Sequence, residues 1–214
     1  NNHLTQHIVF TRTHKLSCNQ IKPSVKSSVT TGDEQIYFLD QYELTNAGTI
    51  IGDTVIEDRM ADELCGQSNP EATLTHTITK VSNYFLVILR STMGNSKMSN
   101  ESIKYKIQHT IRLCGDDFEL IGTVIHCGNR PNSGHYIAQV KKQSVWWRIS
   151  DKSKQKLSSE PIFKSNDYKP YILLYKKKHI SVLDNPVSTL DNYGNTCYAN
   201  ALLQLLFNIP ELFN

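Results

Sequence analysis

The pattern of apolar residues predicts that most of this chain is β-sheet. Tyr84 to Arg90 is a continuous run of β-branched and aromatic residues, as in a buried strand, and Met93 to Ser96 has the composition of a turn. Five more segments have strand patterns: Ser102 to Ile107, Phe118 to His126, Tyr136 to Val140, Val145 to Ile149 and Tyr171 to Tyr175. Because short polar loops join them, we expect an antiparallel, strongly twisted sheet.

The two ends of the chain differ from this middle part. Before residue 80, short apolar pieces at 7–10, 36–39 and 49–51 predict short strands separated by long loops. Near the other end, Ala199 to Phe207 has a wide apolar face and predicts a helix, with Pro210 expected to set its end.

Composition places the chain among ordinary globular proteins. Of its 214 residues, 39% are hydrophobic and 20% charged, with a net charge of +3, so a nucleic-acid role gains no support. The apolar runs are far shorter than the roughly 20 residues of a membrane-spanning helix. Five cysteines are an odd and sparse set, which favours a reducing, intracellular compartment. The first residue is Asn1, so a processed or interior piece is an open alternative.

A cysteine at the start of the predicted helix is a candidate nucleophile. Cys197 follows a turn that contains Gly194, and unpaired N–H groups at a helix start favour the thiolate. The alternative is a cysteine that only packs beneath the leucines.

The residues around Cys197 favour the nucleophile. This stretch resembles the cysteine box of the ubiquitin-specific proteases, the papain-like deubiquitinases, which reads Asn-x-Gly-Asn-Thr-Cys-Tyr-x-Asn before a Leu-Gln-rich helix. The matching residues are Asn192, Gly194, Asn195, Thr196, Cys197, Tyr198, Asn200, Leu203 and Gln204. The resemblance implies that Cys197 is the nucleophile and that Asn192 donates its side-chain amide to the oxyanion.

A second segment carries a candidate base. His135 follows a loop glycine and opens a predicted strand, where its imidazole could exchange protons at a cleft edge; a surface or core histidine is the alternative. The segment resembles the histidine box of the same family, through Phe118-Glu119-Leu120, His126, Gly128, Gly134-His135-Tyr136 and Trp146, with Phe118 in place of the usual Tyr. The resemblance implies that His135 is the base and that His126, Gly134 and Tyr136 line the substrate cleft.

The third catalytic position departs from the family pattern. Alignment on Trp146 puts Ser150 where most members carry Asn or Asp, and Asp151 directly after it. A hydroxyl can orient the imidazole but offers no full negative charge, whereas Asp151 can supply that charge. We expect Ser150 rather than Asp151 to orient His135; a solvated loop carboxylate is the alternative role for Asp151.

Members of this family often bind zinc through two Cys-x-x-Cys pairs. The corresponding stretches here keep only Cys18 and Cys65, and two thiolates cannot close a tetrahedral site. We therefore predict no metal and no other cofactor, with completion of a site by His14 and His76 as the alternative.

The resemblance also implies the domain organisation. The expected fold is α+β, a papain-like cysteine protease of the ubiquitin-specific protease type, with an antiparallel palm and fingers sheet and a catalytic helix at the C-terminus. Residues 1–80 correspond to fingers, 81–178 to the palm with the histidine box, and 179–214 to a linker and the cysteine-box helix. The family places the cysteine box first, so the order here is permuted and the thumb reduced.

The length of the segment between the histidine box and the cysteine box decides whether the two can lie side by side in one molecule. Residues 176–191 reach roughly 50 Å at about 3.3 Å per residue, so the helix can return to His135 within one molecule. Docking into a second copy, as a swapped homo-oligomer, and further thumb residues outside this sequence are the alternatives.

The function implied by the resemblance is thiol-dependent hydrolysis of isopeptide or peptide bonds at the C-terminus of ubiquitin, the expected partner. A catalytically inactive ubiquitin-binding module and a protease for a ubiquitin-like modifier are the alternatives. We expect a cytoplasmic location. Because Ser at the third position also occurs in a mitochondrial outer-membrane member, the mitochondrial surface is an alternative.

Overall fold

The computed structural model describes residues 6–17, 28–40, 54–57, 73–90, 107–130, 133–161, 163, 168–179 and 187–212. These form strands β1 (Phe10–Ser17), β2 (Ser28–Glu34), β3 (Ile36–Asp40), β4 (Thr54–Glu57), β5 (Thr73–Val81), β6 (Tyr84–Arg90), β7 (Thr110–Leu113), β8 (Asp116–Arg130), β9 (Ser133–Lys142), β10 (Val145–Ser150), β11 (Ser153–Lys156) and β12 (Tyr168–Lys177). Helix α1 (Cys197–Leu206) follows, and then a 3-10 turn (Pro210–Leu212).

The strands form two sheets. The smaller has the order β2-β1-β5-β4, and the larger has the order β11-β10-β9-β8-β12-β6-β3, with β7 paired to β8. Strand β3 joins the larger sheet although it precedes β4 and β5 of the smaller sheet in the chain. The division of the chain at residue 80 stays a prediction.

The expectation of antiparallel pairing is confirmed for the described ladders with one exception. Strand β3 pairs with β6 in parallel, with Ile36 opposite Leu86 and Phe38 opposite Ile88. Two parallel neighbours need a long crossover, and here the chain between them passes through β4 and β5 of the smaller sheet.

Both faces of the larger sheet are covered, which explains the continuous apolar run of β6. Phe85, Val87 and Leu89 belong to a cluster with Phe10 and Tyr37, whereas their neighbours Tyr84 and Leu86 belong to a second cluster on the other face. A strand that is buried on both faces has no polar side to alternate with.

Helix α1 packs on this second face and so places the cysteine segment on the larger sheet. Ala201 and Leu205 are buried there with Ala138 and Val140 of β9. Gly122 of β8 lies directly under the helix, and a Cβ at that position would overlap Leu205 Cδ1. The absence of a side chain at residue 122 thus sets how closely α1 approaches the sheet.

The helix ends earlier than the sequence predicts. It begins at Cys197 and ends at Leu206, and Pro210 instead starts the 3-10 turn. Before Pro210 the hydrogen bonds change to the three-residue spacing of a 3-10 helix: the N–H of Asn208 donates to Leu205 O at 3.0 Å, and the N–H of Ile209 donates to Leu206 O at 2.8 Å.

Some expectations lie outside the described residues: the piece at 49–51, the turn at 93–96, most of the strand at 102–107, and both Cys18 and Cys65. Among the helices of the described ranges, none has the length and apolar character needed to cross a membrane.

Candidate active site

A tight approach between β8 and β9 places His135 at the sheet edge. Gly134 has φ of +153°, and a Cβ there would lie 2.5 Å from Cys127 O and 2.5 Å from His126 Nε2. Residue 134 must therefore be glycine for the buried ring of His126 to lie beside the backbone that carries His135.

One ring nitrogen of His135 is held by β10. Nε2 lies 2.7 Å from Ser150 Oγ, at hydrogen-bond distance, and 3.9 Å from Asp151 Oδ2. Ser150 therefore touches the ring directly, while Asp151 is close enough to act on it through charge. The side chain of His135 is 39% exposed, so its ring faces a cleft rather than the core.

Asp151 connects this edge to the cysteine segment. It has φ of +45° in the turn after β10, and its side chain is 18% exposed. Oδ1 accepts a hydrogen bond from Asn200 Nδ2 at 2.9 Å, and Oδ2 accepts one from Asn192 Nδ2 at 2.9 Å. Its backbone oxygen also accepts from the N–H of Leu190 at 3.2 Å. Three hydrogen bonds from residues 190–200 thus converge on this one residue.

Cys197 is the first residue of α1 and is half-buried, with a free thiol. Thr196 before it has non-helical dihedrals, and α1 has neither a capping side-chain hydrogen bond nor an acidic residue in its first turn. The first backbone N–H groups of the helix therefore have no capping side chain as acceptor and no acidic residue in the same turn.

The loop before Cys197 is fixed by its own side chains. Asn192 Oδ1 accepts from Thr196 N at 3.3 Å and from Thr196 Oγ1 at 3.0 Å. Gly194 has φ of +90°, which makes the sharp turn between these two residues. Asn192 is consequently held with one amide hydrogen on Asp151, and its other amide hydrogen has no acceptor among the described residues.

Cys197 lies in the same cleft as the histidine strand. The pKa of Tyr136 is raised by burial, by Tyr171 and by Cys197, so the thiol is close enough to interact with the residue next to His135. The Tyr136 ring packs against His126 with centroids 4.8 Å apart and against Tyr171 at 5.8 Å. In this structure no hydrogen bond joins the Cys197 thiol to the ring of His135, both of which are described residues.

Two neighbouring groups are kept neutral. Burial lowers the pKa of His126, and the charge of Lys169 lowers it further. Burial raises the pKa of Cys127, although Arg148 opposes that shift. A half-buried thiol with a raised pKa is a weaker nucleophile, so Cys127 is the poorer candidate of the two.

Contacts join four of the five predicted catalytic residues within one chain: His135, Ser150, Asp151 and Asn192. Cys197 is connected to them through its helix, since Asn200 of α1 donates to Asp151. The three predicted cleft residues, His126, Gly134 and Tyr136, lie beside them. Asn200 has no role in the sequence-based prediction. Its position as the last residue of the cysteine box is the feature that could have indicated one. Its hydrogen bond to Asp151 depends on the docking of α1.

His14 and His76 are neighbours across β1 and β5, with their Nδ1 atoms 2.5 Å apart and Glu34 Oε1 3.4 Å from His14 Nε2. The described part of the chain contains no group of three or more His, Cys, Asp or Glu side chains that could hold a metal ion. Cys18 and Cys65 lie outside that part, so the zinc prediction stays a prediction.

The fold is that of a papain-like cysteine hydrolase. The family model described as ubiquitin carboxyl-terminal hydrolase matches residues 4–175. The chain belongs to the ubiquitin carboxyl-terminal hydrolase family, and the resemblance to ubiquitin-specific proteases is confirmed. The matched span includes His135, Ser150 and Asp151 and ends before Cys197.

Two curated relatives share short segments with the chain. One is ubiquitin carboxyl-terminal hydrolase 12 of Salmo salar, 33% identical over an alignment of 70 residues that covers 28% of this chain and 19% of that protein. The other is ubiquitin carboxyl-terminal hydrolase 46 of Caenorhabditis elegans, 48% identical over 40 residues, which are 19% of this chain and 9% of that protein. The matches thus span a small fraction of either relative.

Solved structures confirm the fold. The Ubp8-Sgf11-Sgf73-Sus1 SAGA DUB module matches with a TM-score of 0.58 and 19% identity, over 82% of this chain and 41% of the matched chain. The same module bound to monoubiquitin matches with a TM-score of 0.57 and 19% identity, over 82% of this chain and 42% of the matched chain. The expected α+β papain-like class is therefore correct.

Proposed function

We propose that this chain is a deubiquitinase that hydrolyses isopeptide or peptide bonds at the C-terminus of ubiquitin through a cysteine nucleophile. The observation that carries the proposal is the convergence on Asp151, which joins the cysteine segment to the edge that holds His135. Family membership and a solved relative bound to monoubiquitin support ubiquitin as the substrate.

The proposed chemistry begins with the ring of His135. Because Nε2 faces Ser150, Nδ1 is the nitrogen that can receive the thiol proton of Cys197. The thiolate sulfur then attacks the carbonyl carbon of the terminal glycine of ubiquitin. The displaced electron pair moves to the carbonyl oxygen, and the tetrahedral intermediate carries that negative charge.

Asn192 and the helix start would stabilise this oxyanion. The second amide hydrogen of Asn192 and the first backbone N–H groups of α1 are the available donors. Collapse of the intermediate breaks the bond to the lysine nitrogen, which takes the proton from His135. Water then attacks the thioester, and the ubiquitin carboxylate and the Cys197 thiol are released.

Ser150 and Asp151 have different proposed roles. The 2.7 Å contact makes Ser150 the group that orients the ring. The carboxylate of Asp151 lies 3.9 Å from Nε2 and stabilises the imidazolium that forms when the proton is transferred. Together the two residues would replace the single Asn or Asp that most family members carry at this position.

The cleft residues would receive the extended tail of ubiquitin. The His126 ring is buried beneath Gly134, and Tyr136 stacks on it at the cleft edge. A glycine at 134 and a neutral imidazole at 126 leave a narrow, uncharged wall, which suits a tail that ends in glycine. The globular body of ubiquitin would rest on the sheets, as the assignment of residues 1–80 to fingers and 81–178 to the palm implies.

The permuted order of the boxes is part of the proposal. The helix that carries Cys197 packs on β9 after the histidine strand rather than before it in the chain. Geometry rather than chain order defines such a site. We further propose that the protein acts in the cytoplasm on ubiquitinated proteins and that one chain forms the site without a swapped partner.

Hydrolysis of a ubiquitin–rhodamine conjugate tests the proposal, alongside a titration with free ubiquitin. We expect turnover that Cys197→Ser abolishes and Cys127→Ser preserves. Ubiquitin binding without turnover would instead identify an inactive binding module. Turnover of a conjugate of a ubiquitin-like modifier in preference to ubiquitin would overturn the substrate assignment.

A further inference from the structure

We propose that Asn200 is a positioning residue that holds the Asp151 carboxylate toward His135, so that the charge becomes available only when α1 is docked. The inference rests on the proposed function. It adds a role for a residue of the helix that neither touches substrate nor contacts the imidazole.

The surroundings of Asn200 support this role. Only 9% of the residue is exposed, so its amide cannot depend on water for its hydrogen bonds. Nδ2 donates to Asp151 Oδ1 at 2.9 Å and to the backbone oxygen of Asp191 at 3.1 Å. Both hydrogens of the amide nitrogen are thus used, and each bonds a different part of the site.

The two oxygens of Asp151 have distinct partners. Asn200 binds Oδ1, whereas Oδ2 binds Asn192 and is the oxygen nearest to His135 Nε2, at 3.9 Å. A carboxylate that accepts at one oxygen from a buried helix residue cannot rotate freely. The bond to Asn200 therefore fixes the direction in which the other oxygen points.

The charged and titratable groups around this pair come from three elements. His135 faces it from β9, and Cys197 lies one turn before Asn200 on α1. Asp191 lies on the linker, where its carboxylate pairs with Lys152 at 3.3 Å. Among the described residues Asp151 is thus the carboxylate paired with the ring, and the neighbouring cation Lys152 is paired with Asp191.

A nearly isosteric change tests the bond. Asn200→Asp places a second carboxylate against Asp151, and two ionised carboxylates at this distance repel. At lower pH one proton shared between them restores an O–H···O bond. We therefore expect the ratio of variant to wild-type rate to rise as the pH falls from 8 to 5.5. Asn200→Leu, which cannot regain the bond, should give a low and flat ratio.

A matched control lies one turn further along the helix. Gln204 is also buried, and its amide donates to the backbone oxygen of Ser188 at 3.1 Å, away from the site. Gln204→Leu removes one buried helix-to-linker hydrogen bond of the same kind. We expect it to lower the melting temperature by less than Asn200→Leu, which removes two such bonds, with no change in the pH profile.

Two rates are measured on the whole 214-residue chain: turnover of ubiquitin–rhodamine, and alkylation of Cys197 by iodoacetamide followed by peptide mass spectrometry. For Asn200→Leu at pH 7.5 we expect both rates to fall at least about tenfold, the equivalent of one charge-assisted hydrogen bond. Gln204→Leu should stay within about twofold of wild type in both assays.

The outcomes separate this inference from the proposed function. If the wild type is alkylated but turns over no ubiquitin, the function fails, while an Asn200-dependent alkylation profile still supports positioning. If the wild type turns over ubiquitin and the Asn200 variants follow Gln204→Leu at every pH, the positioning role is wrong and the function stands.

Discussion

The role of the Asp151 charge gives a prediction whose size follows from the structure. Asp151→Asn keeps the shape of the side chain and removes the negative charge 3.9 Å from His135 Nε2. The new amide also cannot accept from both Asn192 and Asn200, so one of the two hydrogen bonds to the cysteine segment is lost.

Coulomb's law sets the expected magnitude. Two unit charges about 4 Å apart interact by about 1 kcal/mol at the dielectric of water and by about 4 kcal/mol at an effective dielectric of about 20. His135 is 39% and Asp151 18% exposed, so solvent screening favours the lower half of this range. A loss of about 1–2 kcal/mol of transition-state stabilisation corresponds to a fall of about 5- to 30-fold in kcat/KM.

The assay is steady-state hydrolysis of ubiquitin–rhodamine at pH 7.5, with kcat and KM determined separately. Because the imidazolium forms during the reaction, the loss should appear in kcat with KM nearly unchanged. Asp117→Asn is the matched control, since Asp117 forms an exposed ion pair with Arg112 at 3.8 Å. Equal rates for Asp151→Asn and wild type would refute the electrostatic role, as would a loss confined to KM.

Three further changes test other parts of the account. Gly134→Ala should lower the free energy of unfolding by at least about 2 kcal/mol, because the new Cβ would overlap Cys127 O. Gly115→Ala is the control: residue 115 also has a positive φ but lies in open space, so the loss measured by urea denaturation should be smaller. The pKa of His126 is lowered in the folded protein, so the free energy of unfolding has its full value above pH 6.5, the ordinary pKa of histidine, and falls at lower pH. His126→Gln should reduce the difference in the free energy of unfolding between pH 7.5 and pH 5, measured by urea denaturation. Gly122→Ala should destabilise the wild type by about 1 kcal/mol or more but the Leu205→Ala background less, and additive losses would contradict close packing of α1 on β8.

Much of the larger sheet could be predicted from the sequence. The run at Tyr84–Arg90 is a strand with those bounds, and the predicted strands at 118–126, 136–140, 145–149 and 171–175 lie inside β8, β9, β10 and β12. These segments are apolar on one or both faces, so local pattern and final environment agree. The short strand predicted at 7–10 was wrong except for Phe10, where β1 begins.

The parallel strand β3 could not be predicted in the same way. Ile36 to Leu39 has the composition of a strand, but which neighbour it joins depends on a crossover through the smaller sheet. Pairing partners are a property of the whole chain, and the expectation of a purely antiparallel sheet was wrong for this strand.

Part of the candidate site, too, could be predicted from the sequence and part could not. The sequence motifs pointed to Cys197, His135 and Ser150, and the structure puts His135 and Ser150 in contact and Cys197 at the start of the helix that packs on β9. The hydrogen bonds of Asn200 and Asn192 to Asp151 join residues more than 40 positions apart and exist only after α1 has packed on β9. No local sequence pattern indicates a contact over such a separation, so these hydrogen bonds could not be predicted.

The most direct test of the central claim asks whether Cys197 and His135 of the same molecule act together. Intact mass spectrometry follows the rate of adduct formation with a ubiquitin propargylamide probe, for wild type and for an equimolar mixture of Cys197→Ala and His135→Ala. We expect one adduct at Cys197 in the wild type, and in the mixture a rate no higher than that of His135→Ala alone. A wild type without an adduct would contradict the account, and so would a mixture that regains the wild-type rate.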